Sequence, residues 1–342
     1  MPDLPTLASM SILASLILYA LLGGADFGGG VLNLYRREPR AAARRLLVAR
    51  AIGPVWETNH IWVIIAVVVL FTAFPRAYAV ISTSLFLPIT LMLAGIVLRG
   101  AAFAFHHYHP HGEEGQDRWE RIFAGASLLT PLLLGAIVGA VASGDIGARD
   151  AATGISWAWL APFPLAVGLL ALAVFSFLAA VYLILETDEL PLQEDFRSTA
   201  LWSSWGVAVL LLVVLLLARR GATEFFHSLL GRGWSVGIVF LAASAALGAH
   251  VSLLRRAYGL ARVCAAAQAA LILAGWGGAQ YPFLVRPGLS IPATAAPAAT
   301  LRLILIALAA GAFFLFPAIF LLFRVFKREA LFGRPRSPSP GE

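Results

Sequence analysis

Residues 51–79 read AIGPVWETNHIWVIIAVVVLFTAFPRAYA, and this stretch decides the class of fold. It contains an apolar run of about 20 residues, the helix length that crosses about 30 Å of hydrocarbon. Near its start it also carries a carboxylate, Glu57. A charged side chain inside a membrane costs about 2.5–3.5 kcal/mol, so acids in such segments usually have a function. The stretch therefore predicts a membrane-spanning helix that bears a functional acid.

Similar runs recur along the chain, which is 60% hydrophobic and only 13% charged. That balance is typical of a polytopic membrane protein, and the residues do not alternate as in a transmembrane β-barrel. We predict an all-α protein with about nine transmembrane helices, in which residues 1–326 form one domain and residues 327–342 a disordered cytoplasmic tail. The predicted spans are Leu7–Gly30, Ile52–Phe74, Ala77–Arg99, Ile122–Ser143, Leu160–Leu185, Ala200–Ala218, Ser235–Leu254, Val263–Tyr281 and Leu301–Phe323.

The basic residues predict how these spans are oriented. With the N-terminus outside and the C-terminus inside, 18 of the 25 Arg and Lys residues fall in inside segments. This orientation is preferred because cytoplasmic loops are enriched in basic residues. The seven outside are Arg76, Arg149, Arg219, Arg220, Arg232, Arg286 and Arg302. Among them, the basic segment from Arg219 to Arg232 fits the rule poorly.

Several other classes of protein are excluded. The net charge of +7 does not indicate a nucleic-acid partner, because the basic residues cluster between apolar runs, where topology and lipid head groups explain them. Cys264 is the only cysteine, which rules out an intrachain disulfide, a zinc site built on cysteine pairs and CxxCH haem attachment. The start, MPDLPTLASM, lacks the basic region of a signal peptide, so the first apolar run is predicted to remain as a span.

Two acids lie in predicted spans on the same side of the membrane. Asp26 is ten residues before Arg36, and Glu57 is seven residues after Arg50. These separations correspond to about 15 Å and 10 Å of helix, which puts both acids in the inner half of the membrane. Poorly solvated carboxylates can exchange protons, and Asn59 can hold a bridging water. We predict a proton pathway through Glu57, Asp26 and Asn59; the alternative is that the acids only hold helices together.

The neighbours of these acids suggest a pocket and a helix contact. Trp56, Thr58, His60 and Trp62 are candidates to line a polar pocket around Glu57, although the tryptophans, Trp56 above all, also suit anchors at the membrane interface. The segment GGADFGGG, residues 23–30, has the GxxxG spacing that lets helices approach closely. It is not a nucleotide-binding loop, because it lies within a span and lacks GxGxxG spacing.

The histidines were considered as ligands of a metal or a haem. The segment HHYHPH, residues 106–111, has closely spaced histidines, but it falls in a short loop that we interpret as solvated. A membrane haem needs axial His or Met residues from helices. Within the spans the chain offers His60, His250, Met10 and Met92, and we interpret both histidines as members of polar networks. We therefore predict no metal and no haem on this chain.

Taken together, these segments resemble subunit II of the cytochrome bd-type quinol oxidases. The glycine-rich segment resembles the family element DGFDLGVG, and the segment around Glu57 resembles its proline-tryptophan-acid-asparagine element. The resemblance covers nearly the whole chain, and its motifs occur in the family's order. The matching segments are 23–30, 51–79, 87–105, 185–201, 275–285, 295–301 and 317–327.

The resemblance implies a respiratory complex of the bacterial cytoplasmic (inner) membrane that oxidises a quinol and reduces oxygen to water. In this family the haems, two b-type and one d- or b-type, and the quinol site belong to the larger subunit I. Subunit II then has no catalytic residue of its own. It is the heterodimer partner of subunit I, lies in membrane lipid beside a small single-helix subunit in some complexes, and lends an acid to a proton path from the cytoplasm.

The resemblance also assigns individual residues. Glu57 matches the acid of the proton path, and Asp26 matches the second aspartate of DGFDLGVG. Gly23 stands where the family has the first aspartate, so this chain lacks an aspartate pair. Thr58 replaces a usual glycine and adds bulk beside Glu57.

Three hypotheses for the function follow. The leading one is subunit II of a bd-type oxidase that stabilises subunit I and contributes to proton uptake. A proton-coupled secondary transporter would also carry intramembrane acids and glycine-rich spans, although the two halves of the chain show no paired broken helices. The third is a structural scaffold in which the acids only pack.

Overall fold

The computed structural model describes residues 3–34, 40–52, 56–108, 113–146 and 154–326, and helices dominate it. The predicted tail, residues 327–342, lies outside the described residues. A short antiparallel hairpin, β1 (Phe283–Val285) and β2 (Leu289–Ser290), follows the twelfth helix. The helices are α1 (Leu4–Leu32), α2 (Ala41–Ile52), α3 (Trp56–Asn59), α4 (Ile61–Ala73), α5 (Pro75–Ser84), α6 (Phe86–Tyr108), α7 (Glu113–Ser143), α8 (Pro162–Ile184), α9 (Leu190–Gly221), α10 (Thr223–Gly231), α11 (Gly233–Leu254), α12 (Tyr258–Gln280), α13 (Ile291–Thr294) and α14 (Ala298–Phe326).

The predicted all-α membrane architecture is confirmed. Within the described ranges, eight helices are long and apolar enough to cross a membrane: α1, α6, α7, α8, α9, α11, α12 and α14. The segment Glu57–Ala73 meets the length and hydropathy criteria for a span only when it is taken together with α5. The two are bent by 119° relative to each other, and they make a ninth span if the pair is counted as one. Helices α7, α9 and α12 begin earlier than predicted, because their polar first turns continue the helix beyond the apolar part that hydropathy detects.

The third predicted span, Ala77–Arg99, is misplaced in the sequence. Phe74 has φ −138° and ψ 60°, which are not helical, and a residue that precedes a proline is disfavoured in the helical region. Helix α4 therefore ends there, Pro75 starts α5 in a new direction, and the membrane helix begins only at Phe86. As a result Arg99 lies within α6, not at its inner boundary.

The centre of the bundle is the contact of α8 with α1, α7 and α9. Two glycines of the GxxxG spacing make the α1–α8 contact close. A Cβ on Gly24 would lie 2.6 Å from the Phe175 ring, and a Cβ on Gly28 would lie 2.0 Å from the Phe175 carbonyl oxygen. The interpretation of these glycines as a helix-packing motif is confirmed, because any side chain would push the two backbones apart.

We expect Gly28→Ala to destabilise the folded protein by about 1–3 kcal/mol, because an added methyl group in a well-packed interface forces backbone shifts. The melting temperature of the purified protein in detergent measures the loss. Gly206→Ala is the matched control, since no atom lies within 4 Å of a Cβ at that position. The control should be neutral or stabilising, because alanine is the better helix former. Equal melting temperatures for the two variants would contradict a close α1–α8 contact.

Candidate functional site

Polar side chains are buried together at one end of the bundle. Asp26 lies near the C-terminal end of α1, Asn59 ends α3, and Arg99 lies in the second half of α6. Their exposed fractions are only 6%, 3% and 1%. The up-and-down course of the chain brings these segments to the same end, although they are far apart in sequence. We call Asp26, Asn59 and Arg99 the buried polar cluster.

The cluster is held together by hydrogen bonding and by charge. The Nδ2 of Asn59 donates a hydrogen bond to Oδ2 of Asp26. The carboxylate of Asp26 also interacts electrostatically with the guanidinium of Arg99. Asn59 therefore contacts Asp26 directly. It had been predicted to hold a bridging water instead. An acid that is paired in this way costs far less to bury than an isolated one.

Arg99 is enclosed on several sides. Its guanidinium carbon lies 4.6 Å from the ring centroid of Phe27 and 5.0 Å from that of Phe123, both within cation–π range. Its Nε donates a hydrogen bond to Ser127 Oγ at 3.2 Å. Its Nη2 is buried without a hydrogen-bond partner among the described residues. Sequence reasoning missed this residue by assigning it to a span boundary, although the apolar run continues beyond it as far as Phe105.

A second polar contact lies beside the cluster. The hydroxyl of Tyr19 and Nδ1 of His60 are 3.4 Å apart, and the His60 ring lies 6.0 Å from the Phe27 ring. The other intramembrane histidine, His250, lies 2.9 Å from Ser204 Oγ through its Nδ1. Both histidines thus take part in polar contacts, in line with their interpretation as network members.

Glu57 is the first residue of the candidate membrane segment Glu57–Ala73, not a residue deeper within it. It lies in the four-residue helix α3, ahead of the longer α4, and its side chain is exposed. Thr58 is half-buried. Trp62 is 5% exposed and packs against Phe316 of α14 at 6.0 Å between ring centroids, so it does not line a pocket around Glu57. The side chain of Trp56 lies outside the described part of the chain.

The connector helix α2 lies at this same end and is tied to its neighbours by ion pairs. Arg45 Nη1 lies 2.7 Å from Glu120 Oε2 of α7. Just before α2, Arg40 contacts both carboxylate oxygens of Asp195 at 2.7 and 2.6 Å. These partly exposed pairs add little stability individually, but the bidentate geometry fixes α2 against α7 and α9.

The space that a side chain at position 23 would need is largely occupied by neighbouring residues. A Cβ on Gly23 would lie 3.0 Å from the Tyr19 ring and 3.7 Å from Cβ of Asn59. Tyr19 therefore occupies the space into which an aspartate at this position would extend. Asp26, the acid that this segment does contain, accepts a hydrogen bond from Asn59.

An apolar cavity of about 440 Å³ lies among α1, α7, α8, α9, α11 and α12. Tyr19 lines it next to the buried polar cluster, and Trp276 lines it on α12. No histidine or methionine is among the described residues that line it. The segment HHYHPH has its side chains outside the described part of the chain, and the described residues contain no group of three or more potential metal ligands.

Comparison with known proteins gives the context of this site. Residues 4–326 match the family model described as cytochrome bd terminal oxidase subunit II. The chain is 22% identical over 330 residues to the putative cytochrome bd menaquinol oxidase subunit II of Bacillus subtilis, covering 93% of this chain and 94% of that protein. It is 31% identical over 182 residues to cytochrome bd-I ubiquinol oxidase subunit 2 of Escherichia coli, covering 50% of this chain and 46% of that one.

The fold agrees with these relationships. The chain superposes on the structure of bd oxidase from Geobacillus thermodenitrificans with a TM-score of 0.80 at 21% identity, covering 97% of this chain and 99% of that one. None of these relatives is described as a transporter, so the transporter hypothesis has no support here. Since the family model spans almost all the described residues, this chain belongs to the cytochrome bd terminal oxidase subunit II family, whose members are subunits of an oxidoreductase complex.

Proposed function

We propose that this chain forms a heterodimer with a haem-bearing subunit I in the bacterial cytoplasmic membrane and admits protons from the cytoplasm for the reduction of oxygen to water. The observation that carries the proposal is the exposed carboxylate of Glu57 at the same end of the bundle as the buried polar cluster. An exposed acid can collect protons from water, and a charged cluster behind it lowers the cost of bringing charge into the membrane.

Within this path the two acids have different tasks. Glu57 is the group at the entrance, because its exposed side chain can exchange protons with solvent. Asp26 is buried, hydrogen-bonded to Asn59 and near Arg99, so it stabilises the charge of the inner region and orients the neighbouring polar groups. This division refines the sequence-based prediction, which gave both acids the same role.

The direction of proton movement follows from the chemistry of the complex. Reduction of oxygen to water consumes protons, and oxidation of a quinol releases them. If the consumed protons come from the cytoplasm and the released ones leave outside, the reaction creates a membrane potential without a pump. A path from the inner side requires polar groups in the inner half of the membrane, which is where the proposed N-out orientation places the buried polar cluster.

The haems, two b-type and one d- or b-type, and the quinol site are assigned to subunit I. This assignment is supported by the apolar lining of the 440 Å³ cavity, which includes no histidine or methionine among the described residues. Residues 1–326 are proposed to be one membrane domain, and a small single-helix subunit is a further proposed partner.

We expect Glu57→Gln to lower the rate of quinol-dependent oxygen consumption by about tenfold or more. A positioned proton-transfer group typically raises a reaction rate by about 10²–10⁴-fold, and the expected loss is part of that contribution. The variant is assayed in the purified two-subunit complex, with haem content measured by absorption. Glu189→Gln is the control, because Glu189 is also exposed, lies in a segment assigned to the same side and makes no side-chain cap to α9. Unchanged turnover in Glu57→Gln would remove this residue from the proton path.

Asp26→Asn should act mainly on stability. The substitution removes the negative charge that acts on the buried guanidinium of Arg99, and the loss of a favourable interaction of a buried group typically costs about 1–3 kcal/mol. We expect a lower melting temperature and yield of the complex than for Glu57→Gln. The double variant Asp26→Asn/Arg99→Gln should recover part of the loss. A melting temperature equal to that of the unchanged complex would show that the two charges are not coupled.

The chain produced without subunit I is expected to show no haem absorption bands after purification in detergent. The co-expressed complex provides the positive control in the same detergent. A haem spectrum from the isolated, folded chain would contradict the assignment of all haems to subunit I.

A further inference from the structure

Three arginines at the end of the bundle opposite the buried polar cluster have no anionic partner in the part of the chain that the structure describes. Arg219 and Arg220 close α9, and Arg232 separates α10 from α11. In the proposed orientation these residues lie on the outer side, where the topology rule disfavours them. None of the three forms an ion pair with a carboxylate in the described ranges. The nearest acid in sequence, Glu224, lies 3.5 Å from Arg286 instead.

Arg219 and Arg232 contact uncharged groups. The guanidinium of Arg219 lies 6.0 Å from the Phe226 ring, and Arg232 Nη1 donates to the Tyr281 carbonyl oxygen at 3.3 Å. Arg219 and Arg220 are exposed, and Arg232 is half-buried. The short helix α10 lies between them and holds them at the level where the membrane helices end. The arrangement leaves these three positive charges without a carboxylate partner among the described residues.

The apolar cavity begins directly below these arginines. Its lining includes Ala218, the residue before Arg219, together with Phe225 and Leu229 of α10. It is open sideways between α9 and α11, since Leu212 and Ala243 line it and are exposed, Leu212 to 58%. The opening exists because α9 packs along α8 and α11 along α12, with little contact between α9 and α11. We call this space the α9–α11 groove.

One residue that lines the groove, Trp276, carries a polar atom without a described partner. The Nε1 of Trp276 is buried and has no hydrogen-bond partner among the described residues. Trp276 lies one turn before the end of α12, close to the depth at which the ester carbonyls of a lipid begin. A buried donor of this kind is costly unless an acceptor is supplied, and the rest of the lining is almost entirely apolar.

We propose that the α9–α11 groove binds an anionic phospholipid, with one acyl chain in the groove and the phosphate at Arg219, Arg220 and Arg232. The volume of about 440 Å³ lies within the range of about 300–1,000 Å³ typical of ligand pockets. Arginine suits this role because its guanidinium matches the geometry of phosphate oxygens. A neutral ligand such as a quinone would fill the groove but would leave the three charges without a partner.

The test measures lipid bound to the purified complex with subunit I. The complex is incorporated into nanodiscs of phosphatidylcholine with a small fraction of phosphatidylglycerol, released, and analysed for retained lipid by native mass spectrometry. Arg219→Gln, Arg220→Gln and Arg232→Gln are combined in one variant, and Ala243→Phe fills the groove without changing charge. Arg76→Gln is the control, because Arg76 is an exposed arginine on the same predicted side but far from the groove in sequence.

The unchanged complex should retain phosphatidylglycerol in preference to phosphatidylcholine. Affinity should fall about fivefold for each arginine removed, as expected for one basic residue near a lipid surface. Ala243→Phe should lose the lipid with all arginines present, and Arg76→Gln should retain it. Equal retention by the unchanged complex and the triple variant would overturn the proposal. Retention of a quinone that is displaced only by Ala243→Phe would also overturn it and would assign the groove to a neutral ligand.

Discussion

The burial of the Arg99 guanidinium is the constraint around which one end of the bundle is arranged. A dehydrated cation is stable only when opposite charge, aromatic faces and hydrogen-bond acceptors surround it. Here Asp26 supplies charge, Phe27 and Phe123 supply aromatic faces, and Ser127 supplies an acceptor. Because these groups come from α1, α6 and α7, the cation couples three helices at one level of the membrane.

This arrangement depends on close approach of the helices, which glycines permit. A Cβ on Gly30 would lie 2.1 Å from Ser127 Oγ, so the missing side chain leaves room for the hydroxyl that accepts from Arg99. On the other face of α1, Gly24 and Gly28 allow contact with Phe175, whose ring stacks on Phe27 at 6.4 Å. The glycine-rich segment therefore serves packing and the polar cluster at the same time, and the two interpretations of it do not exclude each other.

The two ends of the bundle differ in how their positively charged arginines are partnered. At the end with Asp26, the cation is neutralised within the chain, and an exposed acid, Glu57, faces outward. At the other end, Arg219 and Arg220 are exposed, and no acid among the described residues forms an ion pair with them. The first arrangement suits a subunit that guides protons toward a partner, and the second suits contact with anionic lipid.

The amino-acid sequence alone determined the all-α membrane class, the approximate number of spans and the family, because the transfer free energy of a segment depends on its own composition. Only the tertiary structure revealed that Arg99 and Asp26 are both buried, that Asn59 bonds to Asp26, and that Glu57 is exposed. Hydropathy cannot provide these facts, since they depend on how each helix is rotated and on contacts between residues far apart in the chain. The break at Phe74 belongs partly to each group. The proline that follows Phe74 indicates the break in the sequence, but the 119° angle between the two helices depends on tertiary packing.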